Sequence, residues 1–554
     1  MQFFEEIRDL TKRLVAIPSV NSAGAGEKEI ACFIERYLRS IPYFRKRPSQ
    51  VIVQPLTDDK LGRRNVFALL CGEKKPSKNT IILHGHIDTV GVEDYGFLQD
   101  AAFDCDELAK RLQKAEMPED AGHDLRSGDY LFGRGALDMK SGDAVFLVLA
   151  RRLAEHPESF SGNLLFSFNP VEENLHTGIL EGLRVLETLR EEQGLHYLFA
   201  INNDYICPLY EGDGNRYVYT GAVGKLLPCF YILGRETHVG QPFEGFDAAM
   251  VAAELVRRIS LNSEFCDEYR GEFTLPPAVL KIQDLKPSYN VQTPLDAFVY
   301  FNYMIHDASL DSIIQKLKQA ARDSLEAVRQ NIGRCAASYS ELTGVNCSVK
   351  QQGLQVLDYS TLFQMAADRY GGGLETAVEE EASRQLEKGT DKREISMMLI
   401  RRLCKIAAIN RPTAVLFFAP PYCPHVTLHP DDPEQGALYR EIQDIVQSFA
   451  EQSNEQYKLL QFFPSLSDSS YLSMDDDEES VKKLTDNFPA YSILYPLPFD
   501  RIRRLSIPAL NYGCYGKDAH KWTERVYMPY SFETLPRLLL KTFQHFLDLD
   551  PHIS

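Results

Sequence analysis

Two imidazoles and a carboxylate, His84, His86 and Asp88, fall within five positions at the end of the apolar run IILHGHIDTV. Taken out of water, such groups are costly unless hydrogen bonds or a bound ion compensate them. Three related clusters follow: Asp138 in GRGALDMKSG, Glu172 and Glu173 in PVEEN, and Asp204 in AINND. A fifth comes late, with His520 in KDAHK. Carboxylate oxygens and imidazole nitrogens suit zinc and similar divalent ions. Taken singly, each cluster reads more simply as a hydrogen-bonded residue at a strand end.

The elements that must position these residues alternate in type. EKEIACFIERYLRSI and SGDAVFLVLARRLAEH carry apolar residues at helical spacing. NTIILHGHI, GNLLFSFNPVEEN and HYLFAINND are short apolar runs that end in acids or histidines. Such alternation predicts an α/β sheet covered by helices, and in such sheets functional groups collect where strands end. The polar stretch between Asp94 and Asp129 reads as a loop and short-helix insertion. After YTGAVGK the pattern changes. LLPCFYILG, DAAMVAAELVRRISL, AVLKIQDL, DAFVYFNYMI and SLDSIIQKLKQAARDSLEAVRQNI read β-α-β-β-α, a small two-layer unit ending near residue 350. TAVLFFAPPY then restarts a buried strand.

Bulk properties exclude several classes. A formal charge of −18 over 554 residues argues against a nucleic-acid partner and an anionic membrane surface. No run is long and apolar enough to span a bilayer. The opening MQFFEEIRDLTKRLVAIPSV places Phe3, Ile7, Leu10 and Leu14 at helical spacing, so it reads as an amphipathic helix and not a signal peptide. The 11 cysteines contain no C-x-x-C pair, and a reducing, cytoplasmic compartment is expected.

In order, H-x-D, G-R-G-x-x-D-M-K-x-G, a Glu-Glu pair, an acid and a late H-x-x-x-E resemble the dinuclear-zinc aminoacylase and carboxypeptidase family. That family includes acetylornithine deacetylases, succinyl-diaminopimelate desuccinylases and glutamate carboxypeptidases. The likeness runs from LVAIPSVNSAGAGEKEIACFIERYL to KDAHKWTERV, and GRGALDMKSG is its most specific piece. FFAPPYCPHV and the C-terminal elaboration are similar to the arginine-utilisation branch, bacterial deacylases of the RocB type.

The resemblance implies an α/β fold, a mixed-sheet zinc-peptidase catalytic domain with an inserted smaller β-α-β-β-α lid or dimerisation domain. The expected segments are 1–221 and 351–554 for the catalytic domain and 222–350 for the lid. It further implies two divalent ions, zinc first, with cobalt or manganese also suited to such a site. His86 and Asp204 would hold one ion, Glu173 and His520 the other, and Asp138 would bridge them. Asp88 would bond the far nitrogen of His86, and Glu172 would be the general base. Two such ions lower the pKa of a bridging water and polarise the scissile carbonyl, while a carboxylate moves the proton to the leaving amine. His84, two residues back on the same strand face, is expected to be a satisfied structural histidine. His176 in EENLHTG lines the cleft or sits in a surface loop.

LGRETHVGQPFEGFDAA is similar to the segment after the family lid's first strand, and its matching histidine is His238. In dimeric relatives that histidine enters the neighbouring subunit's cleft and donates to the developing oxyanion. Asn290 in SYNVQTP matches a lid asparagine that contacts substrate. The chain departs from the pattern in two places. Val171 stands where many relatives have Asp, and FVYFNYMIH lacks the arginine that grips a substrate carboxylate. Lys225 and Lys286 are the remaining cations for that role. The expected activity is hydrolysis of an amide bond in an N-acyl amino acid or short peptide, in arginine or ornithine utilisation. The alternatives are a dipeptidase or aminopeptidase of the same chemistry and a non-catalytic binding protein that keeps the fold.

Overall fold

The computed structural model describes residues 3–553 apart from 22, 23, 25, 348, 351, 352, 454 and 466. Residues 1 and 2 of the opening stretch, 22, 23 and 25 of LVAIPSVNSAGAGEKEIACFIERYL, and the far side of the expected boundary at 350 (351 and 352) therefore lie outside the described residues. The chain divides into two compact units: residues 1–222, 425–474 and 498–554 form the first, and 223–424 with 475–497 the second.

In the first unit the apolar runs become β1 (Val51–Pro55), β2 (Arg64–Cys71), β3 (Asn79–His86), β4 (Asn163–Asn169), β5 (His196–Asn202) and β6 (Asn215–Tyr219). The helical periodicities become α1 (Phe4–Val15), α2 (Gly26–Ser40), α3 (Lys140–Ala154) and α4 (Thr177–Gln193). Phe3, Ile7, Leu10 and Leu14 are all buried, as the spacing of α1 requires. α3 is apolar nearly all round and correspondingly buried along almost its whole length. Ile81, Ile82 and Leu83 of β3 are at most 1% exposed, and each such side chain contributes about 1.5–3 kcal/mol of transfer free energy. The insertion folds as short helices, Cys105–Leu112 and Glu119–Ser127, over a small cluster of Tyr95, Leu98, Leu108, Leu112 and Phe132.

The second unit holds the expected β-α-β-β-α order: β7 (Pro228–Leu233), α5 (Ala248–Ile259), β8 (Ala278–Asp284), β9 (Asp296–Ile305) and α6 (Leu310–Thr343). It does not stop near 350. β10 (Gln355–Asp358) and β11 (Thr413–Phe418) extend the same sheet, in the order β8-β9-β7-β11-β10. The strand assigned by sequence to the second catalytic segment, TAVLFF, pairs antiparallel with β7 over its full length and is buried throughout. An edge of β7 left open by β9 has to be satisfied, and a continuous apolar strand satisfies it.

The chain returns to the first unit with β12 (Gln456–Leu460) and β13 (Ala509–Asn511), giving an eight-stranded mixed sheet in the order β1-β2-β4-β3-β5-β13-β6-β12. Among its central strands, β4, β3 and β5 run parallel side by side. Their C-terminal ends therefore share one edge of the sheet. Among the described residues, no helix is long and apolar enough to cross a membrane.

Candidate metal centre and active site

His86 is the last residue of β3, Glu172 and Glu173 occupy the turn after β4, and Asp204 follows β5. The three parallel strands thus deliver four of the candidate residues to one edge. Asp138 and His520 arrive by another route. The strand Tyr130–Phe132 leads into the Asp138 loop and pairs with Arg525–Tyr527, which in turn pairs with Gly516–Lys517. His520 sits in the turn between the last two, with φ at 63°. One small sheet therefore carries both loops.

The two carboxylate oxygens of Asp138 face different imidazoles. His86 Nε2 lies 3.0 Å from Oδ1, and His520 Nε2 lies 3.0 Å from Oδ2. His520 Nε2 is also 2.8 Å from Glu173 Oε1. His86, Asp138 and Glu173 offer ligand atoms within 4.8 Å of one another. All of these are buried except Glu173, which is half-buried, and His520, which stands at the rim. Asp204 falls outside that close group but is buried near enough to feel the charges of Asp138, His86 and Glu173, its Oδ1 accepting from the Tyr205 amide at 2.8 Å.

Asp88 does something other than expected. The Nδ1 of His86 is 3.2 Å from the backbone carbonyl of Asp88 and 3.6 Å from its carboxylate. The carboxylate instead accepts from the amides of Glu172 and Glu173, both at 3.1 Å. Two charge-assisted bonds to N–H groups outcompete one to an imidazole, and Asp88 thereby fixes the turn that carries the Glu-Glu pair.

The electrostatics describe a site short of positive charge. Burial raises the Glu172 carboxyl well above its ordinary value. Burial and the neighbouring Asp138 raise Glu173 and push Asp204 up to about 8. Burial also works against ionisation of Asp138, but the hydrogen bonds from His520 and His86 prevail and hold it well below the usual carboxylate range. Oxygen and nitrogen donors of this kind, with more buried carboxylates than cations, fit a pair of divalent ions. His86, Asp138, Glu173, Asp204 and His520 are the residues available to hold them.

A second set of contacts holds Asp138 in place. Glu524, 1% exposed, pairs with the equally buried Arg134 at 2.7 Å. Its other oxygen accepts from the amides of Leu137 and Asp138 at 3.0 and 3.2 Å. Arg134 also reaches Asp94 at 2.8 Å and the Gly91 carbonyl at 3.0 Å. Glu524 was visible as the acid of the late H-x-x-x-E, but its partner was not.

His84 is buried, with Nε2 3.4 Å from Oδ2 of Asp468. His176 is fully buried and not part of a surface loop, its Nδ1 2.8 Å from Oδ1 of the same Asp468. Nothing in PSLSDSS marked Asp468 in advance; its bond to His176 spans 292 positions.

His238 and Asn290 belong to the second unit, where both are exposed. Adjacent loops bring them together: His238 bridges Gln292, and Asn290 Oδ1 accepts from the Gln292 amide at 3.1 Å. Lys286 donates to the carbonyls of Asn290 and Gln292 at 3.2 and 2.8 Å, so its charge serves its own turn. Lys225 is buried in the segment Gly224–Leu226.

Residues 82–472 match the model of peptidase family M20/M25/M40. The chain is 39% identical to Protein RocB of Bacillus subtilis (strain 168) over 546 residues, covering 98% of this chain and 95% of that one. It is 34% identical to the uncharacterized protein YqjN of the same strain, with 98% and 96% covered. In fold it is similar to a tripeptidase from Staphylococcus aureus, with a TM-score of 0.52, 14% identity and 99% of each chain covered.

Proposed function

This chain belongs to peptidase family M20/M25/M40 and is a metal-dependent hydrolase of amide or peptide bonds, and on that premise we propose that it deacylates a small amino-acid-derived substrate. The proposal assigns His86 and Asp204 to one divalent ion, Glu173 and His520 to the other, and Asp138 to both. The single observation that carries it is the Asp138 carboxylate, each of whose oxygens stands 3.0 Å from a different imidazole. When bound, the ions polarise the scissile carbonyl and activate the attacking water. A Glu172 carboxylate oxygen takes the proton from that water and returns it to the leaving nitrogen. Its burial raises its proton affinity above that of an exposed carboxylate, the direction a general base requires. Asp88 positions it by holding the backbone amides of Glu172 and Glu173.

The resemblance of FFAPPYCPHV and the C-terminal elaboration to the arginine-utilisation branch supports placing the substrate among acylated amino acids of arginine or ornithine utilisation. His238 is assigned to the oxyanion, Asn290 to the substrate, and a homodimer to the working state. The test is a panel of N-acyl amino acids, including the acyl-arginines and acyl-ornithines, run beside dipeptides and aminoacyl amides with and without chelator. Turnover of the N-acyl compounds, lost with chelator and restored by zinc, cobalt or manganese, is the expected result. Faster cleavage of dipeptides would make it a dipeptidase. Two metal ions per chain with no amide cleaved would make it a binding protein.

A further inference from the structure

Asp138 is not the only carboxylate in this unit placed between two imidazoles. Asp468, 1% exposed, has Oδ1 2.8 Å from Nδ1 of His176 and Oδ2 3.4 Å from Nε2 of His84. His84 and His86 lie two positions apart on β3 and so share a face of the strand. The Asp468 group is therefore a second tier, one strand step behind the first. Its sequence neighbours are tied down: Asn202 of β5 donates to Ser467 Oγ at 2.8 Å, and Ser467 Oγ accepts from the Ser469 amide at 3.1 Å.

The second tier touches the first at Glu172. Glu172, His176 and Asp468 offer carboxylate and ring atoms that all lie within 4.8 Å of one another, and all three are buried. The His176 amide donates to the Val171 carbonyl at 2.8 Å, closing the turn around Glu172, and His176 itself adopts a left-handed φ of 56°. A non-glycine residue held there costs of order 1 kcal/mol or more, so tertiary contacts must over-determine it. Asp468 supplies one, and the ring of Tyr471, 5.1 Å away, supplies another.

We infer that Asp468 and His176 are positioning residues for Glu172. The Asp468 carboxylate accepts from the His176 ring and fixes which edge of it is turned toward Glu172, and the ring confines the Glu172 carboxyl to one rotamer. His84 Nε2 faces the other oxygen of Asp468 at 3.4 Å, an ion-pair contact on the far side of the same carboxylate. This rests on Glu172 being the base, and it assigns the tier no metal.

The test uses the full-length, metal-loaded chain with Asp468→Asn, His176→Gln, the double variant, and Glu172→Gln as control. Each Asp468 and His176 variant should keep two metal ions per chain and the parent's KM within about threefold, while kcat falls about 10–100-fold, the scale of misplacing a catalytic group. The double variant should be no worse than the poorer single, because the two residues act in series. Crystal structures of metal-free Asp468→Asn and His176→Gln should show Glu172 spread over several rotamers where the parent shows one. A single unchanged Glu172 rotamer in both variants, losses that multiply in the double, or a third ion that disappears with Asp468→Asn would overturn the inference. If Glu172→Gln stays active, the base assignment fails instead, and the rotamer result still decides the positioning claim.

Discussion

Replacing Glu524 by Gln tests whether the pocket is held together from behind. The wild-type carboxylate meets donors on both sides: Arg134 Nη1 at 2.7 Å on one oxygen, and the Leu137 and Asp138 amides at 3.0 and 3.2 Å on the other. A carboxamide has one oxygen and one NH₂ group, so either orientation sets donor against donor. Removing one partner of a fully buried ion pair costs about 3–5 kcal/mol. Arg134 keeps Asp94 and the Gly91 carbonyl, which places the expected loss toward the lower end. For a unit of this size each kcal/mol moves the midpoint by about 1.5–2 °C, so calorimetry in chelator should show the first unit melting about 5–8 °C earlier. Metal affinity should fall about 10–100-fold, as when a ligand's support is removed, because Asp138 loses the anchor on its amide. Arg134→Met in the Gln background should recover about 2–3 kcal/mol, since the carboxamide oxygen is then free to face the two amides. A midpoint within about 1 °C of the parent, with unchanged metal affinity, would refute this account of Glu524.

Glu172→Gln should retain both metal ions and lose about 10²–10⁴-fold in kcat, measured by metal analysis beside the hydrolysis assay; near-full activity would remove Glu172 from the role of base. Asp138→Ala should instead lose bound metal, and a variant that kept two ions after dialysis would show that Asp138 is not shared. Gly513→Ala should lower both melting temperature and metal content, because a Cβ there would stand 1.9 Å from the carbonyl oxygen of Asp204; a variant with parental metal content would mean that the loop relaxes without moving Asp204. Burial notwithstanding, hydrogen bonds from Tyr217 and the Leu209 and Asn215 amides lower the Asp213 carboxyl to about 2. A depressed folded-state value contributes stability that is present above about pH 4 and fades as pH falls toward 2. Asp213→Asn should therefore cost about 1–2 kcal/mol at neutral pH, and its deficit against the parent should narrow between about pH 4 and pH 2; a constant deficit in denaturant titrations would contradict that assignment.

The residues whose placement was legible in the sequence were those whose position follows from chemical type and place on an element. His86, Glu173 and Asp204 come at the ends of apolar runs, and parallel pairing of β3, β4 and β5 is enough to bring such ends to one edge. The residues that were not legible depend on which distant element a side chain meets. TAVLFF has the apolar pattern of any buried strand, and periodicity does not say which sheet it joins; only its register on β7 places it in the second unit. Asp88 was recognised as structural support, but competition between an imidazole and two amides for one carboxylate is settled in three dimensions. His176 sits among polar residues, which left a cleft position and a surface loop equally open, and a carboxylate 292 positions away is what lets it be buried.

His84 and His86 show the same point within one strand. They have the same side chain, the same strand face and nearly the same burial, so local sequence gives no reason for their neighbourhoods to differ. Each imidazole needs an acceptor once it is buried, and the fold supplies two aspartates from different places: Asp138 from the loop before α3, and Asp468 from the turn after β12. Asp138 lies beside further carboxylates and a rim histidine, which is the surplus of negative donors a cation requires. Asp468 lies between two imidazoles with one further carboxylate nearby, a nearly balanced set of charges that does not carry the same surplus of negative donors. The difference between the role proposed for His86 in holding metal and that proposed for His84 in supporting the base therefore lies in the partners, not in the histidines.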